Sequence, residues 1–373
     1  MSRRGNGEGT ICKRSDGRWV AAVSYPDGPR KWIYGATRAE VDAKLTAAKR
    51  ARDQGLPASE ERRTLGAFLI EWLEASRSTL RARTWVRYEE LVRLHIIPEL
   101  GHVALARLGP EQLQRLYAAK LAGGLSPTTV HHVHAVVHRA LSQAERWGRV
   151  PRNVASLVDG PRVARREMAT LTEEQLRRLD DAIAGDELEG LFVVAFTTGM
   201  RLSEILGLRW RDVDLDRAEI QLRSTLEWSG DEFGFSEPKT RGSRRHILLT
   251  AHAIASLRRH RVRQAAARLA AGAAWGDYDL VFTNVVGQPV AESTLRLVYR
   301  AALKRAGLPR IRFHDLRHTA ATIALGRGVH PKVVSEMLGH SRIAVTLDLY
   351  SHVTPTMQRE AVAAMDAAMG GER

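Results

Sequence analysis

The sequence predicts a multidomain, mainly α-helical protein with small antiparallel β-sheets. Its 373 residues exceed the usual length of one domain, so two or three domains are expected. Short β-rich runs lie between turn residues in 8–35, whereas apolar residues recur with helical spacing after residue 64 and again from about residue 251. A hydrophobic content of 44% is enough for such domains to form cores.

The first 55 residues predict a small basic module of three strands and one helix. Turn signals at Asp16-Gly17 and Pro26-Asp27-Gly28 separate the strands. Thr37 and Glu40 form a capping box at the start of the helix. A charged stretch, 51–63, follows as a linker.

Residues 64–148 predict a four-helix domain. Thr64 is a candidate N-cap, and further helices are expected to begin near Thr84, Pro110 and Ser126-Pro127. The apolar stripe of the first helix consists of Leu65, Phe68, Leu69, Trp72 and Leu73.

Two histidines of the last helix in this domain, His134 and His138, are one turn apart, a spacing that metal sites use. The sequence offers no obvious third ligand, so a surface or DNA-facing helix is favoured over a metal site.

A basic linker with two prolines, 149–169, precedes the last domain, 170–373. Thr172 and Gln175 form the capping box that opens this domain. The segments DVDLDRAEIQLRSTLEW and SRRHILL predict strands, which places Lys239 in or beside a hairpin turn. Helices are expected from about residue 251 to the end.

The net charge of +15 and the pI near 10.5 point to a polyanionic partner, with nucleic acid as the first choice. A coding bias would explain the scarcity of lysine but not the excess of 57 cations over 42 anions. No apolar run is long enough for a membrane helix. The single cysteine, Cys12, excludes an intrachain disulfide and a Cys-rich zinc site. No signal peptide is recognised, so a cytoplasmic protein is expected, nucleoid-associated when bound to DNA.

The stretch HDLRHTAATIALGRGVHPKVVSEMLGHSRIAVTLDLY carries the clearest chemical pattern. His314 and Arg317 are three residues apart on a predicted helix, so both side chains could converge on one small anion. His340 and Tyr350 follow, and the Tyr350 phenol could attack that anion. Pro331 suits the first turn of a helix, and Gly339 suits its end.

The order HDLRH, LGH and LYSHV resembles the C-terminal signature of the tyrosine recombinases, also called phage-type integrases. That family pattern also requires an upstream arginine with a following acidic residue, and a lysine between two strands. TTGMRLSEILGL supplies Arg201 and Glu204, and SEPKTRGSRRHILL supplies Lys239. Lys239 is the only lysine between Lys120 and Lys304, in a chain that otherwise uses arginine.

The resemblance implies cleavage of DNA through a 3′-phosphotyrosine intermediate, without a metal or another cofactor. Tyr350 would be the nucleophile, and Arg201 and Arg317 would hold the non-bridging oxygens. Lys239, unlike an arginine, can donate a proton near neutral pH, which suits a general acid. His314 would accept the tyrosine proton or hold a non-bridging oxygen. His340 would donate a hydrogen bond to the phosphate, and the Glu204 carboxylate would orient a neighbouring side chain.

The resemblance also implies an arm-type DNA-binding domain at 1–55, a core-binding, SAM-like helical domain at 64–148 and a catalytic integrase domain at 170–373. An alternative for the first is a small β-domain with core aromatics. The candidate DNA-binding residues are Arg18, Trp19, Lys31, Thr128, Thr129, His131 and Arg241.

The predicted function is that of a site-specific recombinase that integrates or excises a mobile element such as a phage. Its expected partners are double-stranded DNA attachment sites and three further copies of itself on DNA, with DNA-bending or excision proteins as candidate accessory factors. The last helix would either be exchanged between protomers or pack on its own domain. A type IB topoisomerase and an inactive DNA-binding protein are the alternatives.

Overall fold

The computed structural model describes residues 11–25, 28–53, 63–164, 168–229, 232–236 and 245–340, and beyond these residues 343–344, 346–347, 362–363, 365–367 and 369. The chain divides into two compact units, 1–165 and 166–373. The predicted fold class is confirmed, because helices predominate and the sheets of the described residues are small and antiparallel.

The N-terminal sheet has the predicted three strands. They are β1 (Cys12–Lys13), β2 (Trp19–Tyr25) and β3 (Gly28–Gly35), in that order across the sheet, and helix α1 (Arg38–Asp53) follows them. The Thr37 hydroxyl accepts the Glu40 backbone N–H at 3.2 Å, as the capping prediction requires. One face of the sheet packs on α1 through a core of Ala21, Val23, Ile33, Val41, Leu45 and Ala48.

A helical bundle follows in the same unit. Its main helices are α2 (Leu65–Ser76), α3 (Ala82–Leu91), α4 (Ile97–Leu100), α5 (Pro110–Ala122) and α6 (Pro127–Arg146). Thr64 caps α2 by accepting the Ala67 N–H at 3.2 Å. A π-helical turn, Val92–Ile96, joins α3 to α4 and ends two residues before Pro98.

The beginning of the predicted linker is packed. Val150, Ala155 and Val158 are buried in the core of the helical bundle, and Asn153 donates hydrogen bonds to the His138 carbonyl and the Ser142 hydroxyl. The bundle therefore includes about ten residues beyond the predicted boundary at residue 148.

The second unit combines helices with two small sheets. Its helices are α7 (Glu173–Ile183), α8 (Glu189–Thr198), α9 (Leu202–Leu206), α10 (Ala251–Ala271), α11 (Glu292–Arg305), α12 (Asp315–Gly326) and α13 (Pro331–Leu338). Its strands are β4 (Val213–Asp214), β5 (Glu219–Leu222), β6 (Thr225–Ser229), β7 (Glu232–Ser236) and β8 (Arg245–Leu248).

The two described strands that flank Lys239, β7 and β8, do not pair with each other. Strand β7 pairs with β6, whereas β8 pairs with β5 in the sheet β4-β5-β8. Residues 237–244 therefore connect two sheets. Lys239 itself lies outside the described residues.

Helix α8 is buried along nearly its whole length and directs the chain to the candidate site. It ends at Gly199, which adopts a left-handed conformation with φ 63°. The conformation favours glycine, and a Cβ atom at this position would lie 2.4 Å from Leu338 Cδ2, so a larger residue would have to displace the buried Leu338 side chain. Arg201 follows two residues later.

Candidate active site

Arg201 and Glu204 form one unit at the start of α9. The backbone N–H of Arg201 donates to Glu204 Oε2 at 2.8 Å, and its Nη1 donates to Oε1 at 2.8 Å. The Glu204 side chain is 1% exposed, whereas that of Arg201 is 36% exposed. The buried carboxylate therefore fixes a guanidinium that remains accessible at the surface.

Arg317, on α12, is buried at 3% exposure. Its Nη1 donates to the Gly199 carbonyl and its Nη2 to the Leu338 carbonyl, each at 2.7 Å. Burial, and then the Arg201 charge, lower the pKa of Arg317 to about 9, so the guanidinium remains charged at neutral pH.

The C-terminal end of α13 gathers the cationic groups. Arg317 Nη2 bonds to the carbonyl of Leu338, and Arg201 Nη2 bonds to that of Gly339 at 3.1 Å. The C-terminal carbonyls of a helix carry partial negative charge and attract cations. His340 is the next residue, so the structure brings together both predicted arginines and this histidine.

Arg245, at the start of β8, completes the cluster and was not predicted from the sequence. It contacts both oxygens of Glu204 and the Met337 carbonyl. Burial alone raises the pKa of Glu204, but the hydrogen bonds and charge of Arg245, followed by those of Arg201, lower it overall. The sequence could have indicated that Arg245 faces inward, because side chains alternate along β8 and Arg245 lies on the same face as buried Ile247.

His340 is partly buried and its Nδ1 lies 2.8 Å from the Thr346 hydroxyl. Burial, and then the charges of Arg317 and Arg201, lower the pKa of His340 to about 4. The ring is therefore neutral at pH 7. If Thr346 donates to Nδ1, the ring proton resides on Nε2, which can donate to an anion.

His314 lies at the N-terminal end of α12, exposed on the surface. Neighbouring protein atoms partly desolvate its ring. This desolvation, followed by the charges of His318 and Arg317, lowers the pKa of His314. The His314 and His318 rings meet edge to face at 5.2 Å. The next residue, Asp315, is buried and accepts hydrogen bonds from Arg312.

Tyr350, Lys239 and Arg241 lie outside the described residues. The described residue closest in sequence to Tyr350 is Leu347, and it follows Thr346, the hydroxyl partner of His340. The described residues closest to Lys239 are Ser236 and Arg245.

The candidate DNA-binding residues of the first unit occupy different environments. Arg18 is exposed and forms hydrogen bonds with Asp16 at 2.9 and 3.1 Å, whereas Trp19 packs against the small core and Lys31 is partly buried in β3. At the start of α6, Thr128 and His131 are exposed.

Thr129 is partly buried at the same helix start, where its N–H donates to the Ser126 hydroxyl at 3.2 Å. Ser126 is therefore the N-cap, and the candidate phosphate-contacting residues surround it.

The open face of the N-terminal sheet presents an aromatic pair that the sequence analysis did not select. Trp32 is 54% exposed and Tyr34 is 41% exposed. The guanidinium of Arg30 lies 5.3 Å from the Trp32 ring centroid, and that of Arg14 lies 5.9 Å from the Tyr34 centroid. The sequence could have indicated this exposed pair, because Trp32 and Tyr34 alternate with buried Ile33 along β3.

His134 and His138, on α6, each have a hydroxyl partner. His134 Nδ1 lies 3.2 Å from the Tyr117 hydroxyl, and His138 Nε2 lies 3.1 Å from that of Ser156. In the part of the chain that the structure describes, no three His, Cys, Asp or Glu side chains are grouped to hold a metal ion. None of its helices combines the length and apolarity needed to cross a membrane.

Arg201, Arg317 and His340 are grouped at the C-terminal end of α13, and guanidinium groups are donors that suit tetrahedral oxyanions. The chain belongs to the phage integrase family, which it matches over residues 169–357. A second match, to the N-terminal SAM-like domain of phage integrases, covers residues 64–121.

Known relatives agree with this assignment. The chain is 32% identical to a tyrosine recombinase XerC-like protein of Caldanaerobacter subterraneus subsp. tengcongensis, over 89% of this chain and 90% of the relative. It is also 32% identical to an integrase of Streptomyces ambofaciens, over 96% of each chain. The protein is thus a tyrosine-type site-specific DNA recombinase.

Solved structures share the fold at lower identity. The integrase of transposon Tn1549, in complex with transposon right-end DNA, superposes with a TM-score of 0.69 at 21% identity, covering 81% of this chain and 99% of that one. A lambda integrase tetramer bound to a Holliday junction gives a TM-score of 0.57 at 16% identity, covering 89% and 95% respectively.

Proposed function

We propose that the chain cuts and rejoins DNA attachment sites through Tyr350, with the scissile phosphate held by Arg201 and Arg317. One observation carries this proposal. The two arginines bond to the adjacent carbonyls of Leu338 and Gly339, directly before His340, so three donors converge where a phosphate would bind. Planar guanidinium groups suit two non-bridging oxygens.

The cleavage step exchanges one phosphoester bond for another. The Tyr350 oxygen forms a bond to phosphorus, and the bond from phosphorus to the 5′ oxygen breaks, which leaves a 3′-phosphotyrosine. The phenol proton passes to His314, and Lys239 donates a proton to the leaving 5′ oxygen. Attack by a 5′ hydroxyl of the partner strand reverses these steps, so no external energy source is consumed.

The two histidines have different roles in this scheme. Both have lowered pKa values, so both are neutral at pH 7. A neutral His314 can accept the phenol proton, whereas His340 donates a hydrogen bond to the phosphate without adding charge. Glu204 holds Arg201 and does not touch the phosphate.

Double-stranded DNA is the proposed partner. The net charge of +15 favours a polyanion, and the integrase of Tn1549 is bound to DNA in its structure. We place the catalytic domain at 170–373 and the core-binding domain at 64–148, with the packed segment to Val158 added to the latter. In a cell, a DNA substrate would keep the protein in the cytoplasm, associated with the nucleoid.

The N-terminal module is proposed to bind a second class of DNA site. Its open sheet face carries Trp32 and Tyr34 beside Arg14 and Arg30, so aromatic rings and cations are available to bases and phosphates. This arm-type module supports a mobile-element integrase, for which DNA-bending or excision proteins would be accessory partners.

A tetramer on DNA is the proposed assembly. In the C-terminal segment, Val362, Met365 and Met369 are 61%, 64% and 81% exposed. The second unit also has an open groove of about 750 Å³, lined in part by Val285, Val290, Leu297 and Val298. Insertion of the C-terminal segment of one protomer into this groove of the next would cover both apolar surfaces.

The central test is the Tyr350→Phe variant on a nicked duplex that contains the attachment core. The sequence of this core is identified from the DNA that flanks the gene. The variant should bind this duplex as the wild type does, yet form no covalent complex on a denaturing gel. Covalent product from Tyr350→Phe would refute the nucleophile assignment. Relaxation of a plasmid without attachment sites, with no recombination between sites, would instead favour a topoisomerase.

A further inference from the structure

Arg245 makes the most extensive contacts with the buried carboxylate of the site. Its Nη1 donates to Glu204 Oε1 at 3.2 Å and its Nη2 to Oε2 at 2.9 Å, while its Nε donates to the Met337 carbonyl at 2.7 Å. Its side chain is 7% exposed, so these contacts are shielded from water. Such a two-pronged arginine–carboxylate pair fixes orientation as well as charge.

The same carboxylate also holds Arg201. Glu204 accepts the backbone N–H and the Nη1 of Arg201, so one negative charge is shared between two guanidiniums. Because Arg245 already provides Glu204 with a buried counterion, the Arg201 charge is not fully neutralised. A net positive charge therefore remains at the exposed guanidinium, where a phosphate would bind.

Arg245 also belongs to a series of contacts along the end of α13. Three successive carbonyls, those of Met337, Leu338 and Gly339, accept hydrogen bonds from Arg245, Arg317 and Arg201 respectively. Arg245 thus anchors the first of the three carbonyls, and the two arginines proposed to hold phosphate bond to the next two.

We propose that Arg245 is a positioning residue for strand cleavage, which holds Glu204 and the end of α13 so that Arg201 presents its guanidinium and its free positive charge to the scissile phosphate. Arg245 itself does not touch DNA. The inference rests on the proposed function, in which Arg201 holds a non-bridging oxygen.

Methylphosphonate substrates separate this role from a general effect on folding. Replacing one non-bridging oxygen by methyl removes the negative charge that a particular arginine would neutralise. The two diastereomers place the methyl group on the side of one arginine or the other. A variant that acts through Arg201 should be rescued by the same diastereomer that rescues Arg201→Ala, whereas a general loss of folded protein lowers cleavage equally on all substrates.

The experiment measures covalent complex formation by the full chain on nicked attachment-core duplexes, with a phosphodiester or either methylphosphonate at the cleavage position. Arg245→Met should cleave the phosphodiester about 10-fold to 100-fold more slowly than the wild type, by analogy with the loss of a residue that orients a metal ligand. On the diastereomer that rescues Arg201→Ala, the deficit relative to wild type should shrink by about tenfold.

Arg259→Met is the matched control. Arg259 pairs with Glu189, another carboxylate with a 5% exposed side chain, at the opposite end of α8 from Gly199. Its effect should be the same on all three substrates. Arg245→Lys provides a second variant if Arg245→Met folds poorly, since it keeps the charge but loses the two-pronged contact. Its cleavage deficit relative to wild type should shrink on the same diastereomer that rescues Arg201→Ala.

Unchanged phosphodiester cleavage by Arg245→Met, or an equal deficit of the Arg245 variants on all three substrates, would overturn the positioning role. A wild-type chain that forms no covalent complex on the phosphodiester would refute the proposed function itself. The Arg245 variants therefore test the positioning role, whereas the wild-type chain tests the proposed function.

Discussion

The guanidinium of Arg317 donates a 2.7 Å hydrogen bond to the carbonyl oxygen of Gly199, which precedes it by 118 residues. This contact ties α12 to the turn that leads into Arg201. Because Arg317 also bonds to the Leu338 carbonyl, one buried side chain joins three separate parts of the chain. The relative positions of the two arginines are thus set by Arg317 itself.

The Arg317→Lys variant should lose both stability and activity. A lysine ammonium is not a planar fork and would leave one of the two carbonyls without its partner, at a cost of about 1–3 kcal/mol in the free energy of unfolding. Loss of one oxygen-holding donor should slow cleavage by about 100-fold to 1000-fold. Urea unfolding and covalent complex formation measure the two effects.

Arg327→Lys is the control for this substitution. Arg327 lies just after α12 but is exposed, and it pairs with Glu173 at the surface. Its replacement should change the free energy of unfolding by no more than about 0.5 kcal/mol. Equal effects of the two substitutions would contradict the bridging role of Arg317.

Gly199→Ala should be more destabilising than Gly328→Ala. Both glycines have positive φ, 63° and 78°, so each substitution incurs roughly 1–2 kcal/mol of backbone strain. At Gly199 the added methyl also meets Leu338 Cδ2 at 2.4 Å, whereas at Gly328 no atom lies within 4 Å. The overlap should add about 1–3 kcal/mol. Chemical denaturation at one temperature measures the free energy of unfolding of the two variants. Equal values would mean that Leu338 moves away from the added methyl group without cost.

Stability should fall as the pH decreases from 6.5 towards 4. His340 has a folded-state pKa of about 4, below its ordinary value of 6.5. Between these pH values the unfolded chain binds more protons, so acid favours unfolding, and the penalty is complete below pH 4. His340→Gln should therefore lose less stability between pH 7 and pH 5 than the wild type does.

Urea unfolding of the wild type and of His340→Gln at pH 7 and at pH 5 measures the difference. An unchanged pH dependence in His340→Gln would contradict the burial of a neutral imidazole at this position.

Lys239→Ala tests the proposed general acid. The variant should cleave an ordinary duplex slowly, because the leaving 5′ oxygen then departs without a proton. Replacement of that oxygen by sulfur should restore the rate, since a thiolate needs little protonation to leave. Covalent complex formation on both duplexes gives the comparison. Without selective recovery on the sulfur substrate, the acid is another residue.

Substitution of Trp32 and Tyr34 by alanine should weaken binding of the N-terminal module to its DNA site but leave core cleavage intact. Loss of an aromatic contact to a base costs about 1–3 kcal/mol where stacking occurs. Trp19→Phe is the control, since Trp19, although a candidate DNA-binding residue from the sequence, packs against the core of the module. Gel-shift titration of the full chain on arm-site and core-site duplexes measures the difference. Equal loss at both sites would contradict a separate arm function.

Much of the fold was predictable because its signals are local. The caps at Thr64 and Thr172 form within three residues of sequence, and both occur in the structure. Gly339 adopts the left-handed conformation that its place after α13 suggested. Strand pairing was less predictable, because it depends on distant partners: β8 pairs with β5 and not with β7, the strand that precedes it in sequence.

The sequence by itself determined the family and the mainly helical fold class, and it supplied the motif residues from Arg201 to Tyr350 as candidates. Only the tertiary structure decided that Arg201 and Arg317 bond to adjacent carbonyls of one helix end, and that Arg245 shares Glu204 with Arg201. The physical reason is that these partners are far apart in sequence, so no local spacing encodes them. Burial likewise sets the charge of His340, and burial is a property of the folded chain.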